Sequence, residues 1–567
     1  MKPIYVLGTG LSHDGSACLL KDGVVELVIE KERITRVKHD GRNDRVTIQT
    51  LLDTAGITWD DISLVVQSNT YGMFQYGNGW YFGERNIPEG IPTVSMPHHL
   101  AHAYSAFFFS PFKESAILVI DGCGSVLLDC IAFGDITDTG FVEPIDPSTR
   151  HLFYETVSYY QGHGKDISAV KKNFSVYGYP PISVHPIVNH LVHSIGGYYE
   201  GATDYMFPQG SDQGELMGLA AYGDPNVYPH RIFEFVNGEP RANYDWLRLL
   251  EHGPTSWDDF MGRFRYFANV ARFIQDEVAE IVVTLANDLH AHAPSKNLCY
   301  AGGVALNVVA NSRIQAETQF ENVFVTPPAN DAGIGIGCAF YGWHAVLGND
   351  KVPARSSVYV GPSPNKNDVR EFINCLFHCP LDVSKPDNLN EEAAKLIASG
   401  KVVGCYRGRA EIGPRALGNR SILGDPTKRE LRDHINNSIK TRPDFRPFAP
   451  AVLMEDAPMF FDIEKESPYM LFVHKVKDEW KDKLPAVTHV DGTARVQTVS
   501  ASDNPEFYDL LKEVKKVTGI GMVLNTSFNR KREPMVERVS EAFDMFWNTP
   551  MDALILDEYL LVKRYPQ

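Results

Sequence analysis

Residues 4–35, "IYVLGTGLSHDGSACLLKDGVVELVIEKERIT", alternate β-rich runs with glycine-bearing turns. They read as strand, Gly-rich turn, strand, Lys-Asp-Gly turn, strand. A second copy of the pattern begins at residue 115, "SAILVIDGCGSVLLDCIAFGDIT", with a β-rich run, a tight turn carrying Asp121 and glycines, and a returning strand. Two such hairpins in one chain point to a duplicated α/β unit. Their turns could bring backbone N–H groups against phosphate oxygens. A hairpin also needs turn glycines for geometry alone, so both readings stay open on this pattern.

The chain has 567 residues, room for about two to four domains. Its composition, 44% hydrophobic and 22% charged, is that of a soluble globular protein. No run approaches the roughly 20 apolar residues of a membrane span. The first residues lack the apolar core of a secretory leader, so the cytoplasm is the expected compartment and no membrane partner is expected. A net charge of −17, with Lys and Arg scattered, argues against duplex DNA or long RNA as partner. A local basic pocket can still take a small anion. The eight cysteines include no CxxC pair and read as buried thiols.

Further along, residues 155–210 are rich in Tyr, Gly and His and read as an insertion of loops and short helices over a site. Apolar residues at helical spacing predict a long helix over 265–292. "KNLCYAGGVALNVVANSRI" (296–314) gives strand, Gly-Gly turn and helix start, and "ENVFVTPPANDAGIGIGCAFYGWHAV" (321–346) repeats the plan with Asp331 at the turn. A polar, Pro-containing stretch near 350 reads as a linker to new α/β elements.

In "PHHLAHAYSAFF" (97–108), His98 and His102 stand four apart, on one face of a helix, while His99 points elsewhere. Such a pair can grip one cation or be ordinary core histidines. Asp121 and Asp331, each beside glycines at a strand end, would complete a His, His, Asp, Asp set suited to a divalent transition metal that also holds a phosphate oxygen. Each Asp can equally be a turn former. "RGRAEIGPRALGNRSILGDP" (407–426) carries Arg407, Arg409, Arg415 and Arg420. "IKTRPDFRPFAP" adds Lys440, Arg442 and Arg446, and "GTARVQTV" adds Arg495. Arginine forks match phosphate and carboxylate, so a converging set predicts an anionic small-molecule pocket.

Taken together, "SHDGSA", "KERITRVKH", "HHLAHAYSAFFFSP", "LMGLAAYG", "AGGVALN", "PPANDAGIGIG", "GRAEIGPRALGNRS", "DHINNSIK", "RPFAP", "ARVQTV" and "LNTSFN" resemble the O-carbamoyltransferases of antibiotic and nodulation-factor biosynthesis, in the family's order along the chain. The resemblance implies an α/β protein of two domains. Residues 1–348 would form an actin/Hsp70-like ATPase-type domain (a duplicated RNase-H-like unit, similar to tRNA threonylcarbamoyl-transfer proteins) with an acceptor-binding insertion near 155–210. A linker would span 349–366, and a YrdC-like domain 367–567. The C-terminal domain would make carbamoyl-adenylate from carbamoyl phosphate and ATP. The N-terminal domain would then pass the carbamoyl group to a hydroxyl of a small-molecule acceptor: a natural product, sugar or modified nucleoside.

By position, the resemblance makes His98, His102, Asp121 and Asp331 ligands of a divalent metal, Fe2+ foremost, with Mn2+ or Zn2+ as alternatives and Mg2+ accompanying ATP. Lys38, Gly122, Cys123, Gly303 and Asn307 would contact the adenylate together with His102, Asp121 and Asp331. His13 would be the general base, neutral at its ordinary pKa near 6.5. Arg415, Lys440, Arg446, Arg495 and Asn525 would bind carbamoyl phosphate and ATP. Where the family often has Lys, "GELMGLA" carries Glu215, which puts any borrowed acceptor in doubt. Two rival readings are a tRNA threonylcarbamoyl-type enzyme, disfavoured by the charge, and a nucleotide-dependent regulator of the actin/Hsp70 type. A monomer or a homodimer fits equally.

Overall fold

In a computed structural model, described over residues 2–10, 12–41, 45–68, 87–136, 146–176, 191–207, 213–352 and 357–564, the opening stretch forms β1 (Tyr5–Gly10), β2 (Ser16–Lys21) and β3 (Val24–Glu30). These strands pair antiparallel, and β4 (Ile62–Ser68) and β5 (Thr93–Met96) extend the sheet in parallel on the other side of β1. A second sheet starts at β6 (Glu114–Ile120), with β7 (Phe153–His163) and β8 (Asp166–Val176) antiparallel on one flank. After a separate hairpin of β9 (Phe233–Val236) and β10 (Glu239–Ala242), β11 (Asn297–Ala301) and β12 (Asn322–Val325) run parallel to β6 on its other flank. The orders β3-β2-β1-β4-β5 and β8-β7-β6-β11-β12 are one plan used twice, as the two Gly-punctuated hairpins led us to expect.

Two details differ from the sequence reading. The second copy's returning strand is not at 126–133: Leu127–Phe133 is a helix, stopped by Gly134 at φ 83°. A short apolar run does not distinguish strand from buried helix, and a left-handed glycine is a helix stop. The partner of β6 is β7, so much of 155–210 is the sheet's own long hairpin and not an insertion of loops. Its alternation was masked by polar residues in the strand interiors, among them Glu155 and Lys172, both buried. Residues 177–190 and 208–212 of that stretch lie outside the described residues.

Between the sheets lie two helices. His98–Phe109 is buried along its whole length, as suits a helix apolar nearly all round. It packs on β6 and β11, Ile334–Tyr341 packs on β1, β2 and β4, and the two helices pack on each other. Small residues make this possible: a Cβ on Gly337 would stand 1.8 Å from the Ala101 carbonyl oxygen, and one on Gly8 2.0 Å from that of Gly335. The long helix expected over 265–292 is present as Phe264–His292. Cys375 is exposed and Cys123 and Cys379 are half-buried, so the cysteines are not uniformly core thiols.

Contacts divide the chain into residues 1–34 with 39–356, and residues 357–567 with Thr35–Lys38. Of the stretch expected as a linker, Lys351 donates to the carbonyls of Phe107, Ser110 and Phe112, closing the end of the His98–Phe109 helix. Residues 358–362 instead hydrogen-bond along Ala410–Ile412, and 353–356 lie outside the described residues. The C-terminal unit is built on an eight-stranded mixed sheet in the order 381–384, 559–563, 553–556, 403–406, 420–424, 522–527, 449–453, 497–499. Alternate residues feed opposite faces: Ile422, Leu524 and Leu554 enter one core, Leu423, Val523 and Ile555 the other.

Two outcomes follow from this packing. Gly337→Ala forces the two central helices apart and should destabilise the fold by about 1–3 kcal/mol, read by thermal unfolding. His344 stacks on Phe108 at 3.8 Å and donates from Nδ1 to the Asn349 carbonyl, and burial pushes its pKa down to about 4. As pH falls below about 6.5 the unfolded chain takes a proton that the folded chain refuses. Stability therefore drops from pH 6.5 to 4, by about 3 kcal/mol from this group. His344→Phe should flatten the Tm profile across that window.

Candidate metal centre and anion site

The ends of the parallel strands converge on one point. Asp121 follows β6, Gly303 follows β11, Asp331 opens a short helical turn after β12, and His98 and His102 head the central helix after β5. All four side chains of the quartet are buried, and their ligand atoms lie within 4.8 Å of one another. His98 Nε2 is 3.1 Å from Asp121 Oδ2 and 3.2 Å from Asp331 Oδ1; His102 Nε2 is 3.5 and 3.4 Å from the same two oxygens. Donors about 2.0–2.2 Å from a shared ion stand at such mutual separations. Neither ring nitrogen of His102 has a hydrogen-bond partner, nor does Asp331 Oδ1. Two imidazole nitrogens and two carboxylate oxygens, buried and converging on one point, fit a divalent transition ion.

The electrostatics agree with that fit. Burial works against a charged His98, yet Asp331 and Asp121 outweigh it and push the imidazole up to about 10. His102 is raised in the same way, while the histidines hold Asp121 and Asp331 below the carboxylate range against their burial. The field that retains protons on the imidazoles is one a cation would answer. His99, as expected, turns aside: Nδ1 faces Ser158 Oγ at 2.8 Å, and burial pushes its pKa down to about 4, a neutral ring.

The other N-terminal candidates fare unevenly. His13, in the turn after β1, has Nδ1 3.1 Å from Asp331 Oδ2 and its side chain 65% exposed, so it reaches both the quartet and solvent. Against burial, Asp331 and Asp14 shift its pKa well above the ordinary histidine range. Gly303 donates its N–H to Asp121 Oδ1 at 2.9 Å. Gly122 lies against Gly196, where an added Cβ would stand 2.7 Å from the Gly122 nitrogen, and its carbonyl accepts from Ser194 Oγ. The Cys123 thiol is pushed well up, by burial and then by Asp121, so it offers surface and not a thiolate. Asn307 caps the helix Val308–Glu317 and pairs with Gln275 through both ends of its amide. Lys38 is exposed in Thr35–Lys38, which groups with the C-terminal unit and not with the quartet.

Sequence reasoning passed over Asp14 and Asn330. Asp14 sits between His13 and His39 and accepts from Asn330 Nδ2 at 2.8 Å, binding the β1 turn to the turn that presents Asp331. Each neighbours a residue already singled out, but nothing in a one-dimensional pattern pairs positions so far apart.

In the C-terminal unit the arginine-rich stretch is corrected. Arg407 donates to Asn390 and the Glu506 carbonyl, and Arg409 to the carbonyls of Val360 and Gly361. Arg420, fully buried over the Tyr406 ring, donates to the carbonyls of Arg407, Gly408, Asn419 and Pro362. These three donate to the chain's own carbonyl and amide oxygens and so tie backbone segments together. The remaining segments do meet. Asn525 Nδ2 donates to the Ala416 carbonyl and to Gln497 Oε1, joining the neighbours of Arg415 and Arg495. The Lys440 ammonium lies among oxygens of Ser527 and Asn529, and Arg446 precedes the strand whose Ala449 pairs with Asn525. Arg420→Met should therefore cost roughly 3–5 kcal/mol of unfolding free energy, since buried carbonyls and Glu537 lose their partner. Chemical denaturation measures it, and an anion-binding Arg420 would instead leave stability nearly intact.

Comparison with known proteins bears on both halves. The carbamoyltransferase N-terminus matches residues 64–340 and the carbamoyltransferase C-terminus residues 394–563. The nodulation protein NolNO of Sinorhizobium fredii is 33% identical, covering 97% of this chain and 79% of that protein. Nodulation protein U of the same organism is 30% identical over 92% of this chain and 93% of its own length. Among solved structures, full-length HypF in its phosphate- and nucleotide-bound form is 13% identical over 62% of this chain and 56% of that one, with a TM-score of 0.38, a likeness too distant to carry an argument. With family matches in both halves and relatives of about this length, the chain belongs to the carbamoyltransferase family.

Proposed function

We propose that the protein is an ATP-dependent O-carbamoyltransferase acting on a small hydroxylated molecule. The observation that carries the reading is its membership of the carbamoyltransferase family through both halves. The repeated sheet plan supports an actin/Hsp70-like N-terminal domain, and by the sequence resemblance we read the C-terminal unit as YrdC-like. In the C-terminal unit, carbamoyl phosphate loses orthophosphate to water, and the carbamate oxygen attacks the α-phosphorus of ATP as pyrophosphate leaves. Arg415, Lys440, Arg446 and Arg495 neutralise the phosphates, and Asn525 orients the carbamoyl group.

The resulting carbamoyl-adenylate reacts in the N-terminal unit. There Gly122, Cys123, Gly303 and Asn307 would contact the adenylate. His98, His102, Asp121 and Asp331 would hold a divalent ion. Such an ion would supply Lewis acidity and a positive charge opposing the carboxylate field on His13. His13 takes the proton of the acceptor hydroxyl as its oxygen attacks the carbamoyl carbon, and AMP leaves with the bonding electrons. Once formed, the carbamoyl-adenylate must be kept from water until the acceptor attacks it, because it is a hydrolysable anhydride.

The test separates the steps. With ATP, carbamoyl phosphate and a panel of hydroxylated metabolites, mass spectrometry should find one acceptor gaining a carbamoyl group, with AMP and pyrophosphate formed. Arg415→Ala should slow pyrophosphate release by about a hundredfold. His102→Ala should abolish transfer while sparing carbamoyl phosphate-dependent pyrophosphate release. Equal loss of pyrophosphate release in both variants would overturn the division of labour.

A further inference from the structure

Beside the quartet lies a buried ion set that the proposed chemistry does not use. Lys172 and Glu155 are 0% exposed and Asp135 5%. The Lys172 ammonium donates to both carboxylates, and Tyr160 donates to Asp135 Oδ2 at 3.0 Å. Cys130, Asp135 and Glu155 could between them hold a cation, and the ammonium already serves as one. Burial raises Asp135, whereas at Glu155 the Lys172 charge outweighs burial and holds the carboxyl at about 2.

The second oxygen of Glu155 faces the other way. It accepts from the Ser125 N–H at 2.9 Å and the His99 N–H at 3.3 Å, while Ser125 Oγ accepts from the His98 N–H at 2.8 Å. Glu155 also brackets the loop after Asp121 by backbone: its N–H donates to the Ser125 carbonyl and its carbonyl accepts from Gly124. The helix His98–Phe109 begins at Pro97, which offers no side-chain cap, so its first N–H groups need acceptors from elsewhere. A carboxylate at that end also suits the helix dipole. One side chain therefore ties the helix that supplies two histidines to the loop that follows Asp121.

We propose that Glu155, braced by Lys172 and assisted by Ser125, is a positioning residue that sets the spacing of His98 and His102 against Asp121 and thereby the quartet's affinity for a divalent cation. The proposal rests on the quartet being a cation site. Glu155 bonds to the backbone of His99 and Ser125, beside the ligands, and contacts that orient metal ligands typically change metal affinity by about 10- to 100-fold when altered.

The test titrates Co2+ into metal-free full-length chain, following heat and the visible d–d absorption. Glu155→Gln is expected to weaken Co2+ binding at least about tenfold and to shift the band. Ser125→Ala, which leaves the ion set whole, should move both in the same direction and reads the clamp even if Glu155→Gln does not fold. Asp135→Asn loosens the far end of the set and should lower Tm while leaving the band in place. Bands that track Tm across all three variants would mean packing alone and would overturn the proposal. Unchanged affinity and band in Glu155→Gln and Ser125→Ala, with wild type binding normally, would overturn it too. A wild-type chain that binds no Co2+ would instead overturn the quartet reading, and the proposal with it.

Discussion

Two carboxylates, Asp121 and Asp331, face one another in the protein interior, and nothing stable can be built there without positive charge between them. The chain answers with two imidazoles from one helical turn. That arrangement is costly, because both His102 ring nitrogens are buried without a hydrogen-bond partner among the described residues. A divalent ion would satisfy all four groups at once. The placing of strand ends, the burial of the first helix and the turn holding His13 all converge on that spot.

The duplicated sheet explains how residues so far apart in sequence arrive together. Each copy ends its parallel strands at the same side, where turns carry ligands and glycines, and the two central helices fill the space between copies. Their glycines are needed because backbone lies directly on backbone: Gly8 against Gly335, Gly337 against Ala101. The helix bearing the histidines is thus fixed along its length, closed by Lys351 at one end and by Ser125 and Glu155 at the other. A rigid support of this kind is what a metal centre requires of its second layer of contacts.

Much of this was legible in the sequence, and the remainder has a physical reason for having been hidden. Turn glycines and β-rich runs are local signals, so β1 to β3, the 264–292 helix and the strand–turn–helix units ending at Asp331 could be read directly. The His98/His102 spacing is local too, and the distant carboxylates were reachable because each stood at a strand end. The helix 127–133 was misjudged because a seven-residue apolar run carries no reliable period. The β7–β8 hairpin was missed because its buried Glu155 and Lys172 look like surface residues until their partners are known. The same holds for the arginines: sequence supplies their number, but only the fold shows that Arg407, Arg409 and Arg420 face carbonyl oxygens.

The claim on which the account turns is that one ion sits among two imidazoles and two carboxylates. X-ray absorption at the metal edge of Fe2+-loaded protein tests it most directly. The account predicts one ion per chain, with two imidazole nitrogens and carboxylate oxygens at about 2.0–2.2 Å. A shell containing sulfur, a spectrum showing only water oxygens, or one unaltered by Asp331→Asn would contradict it.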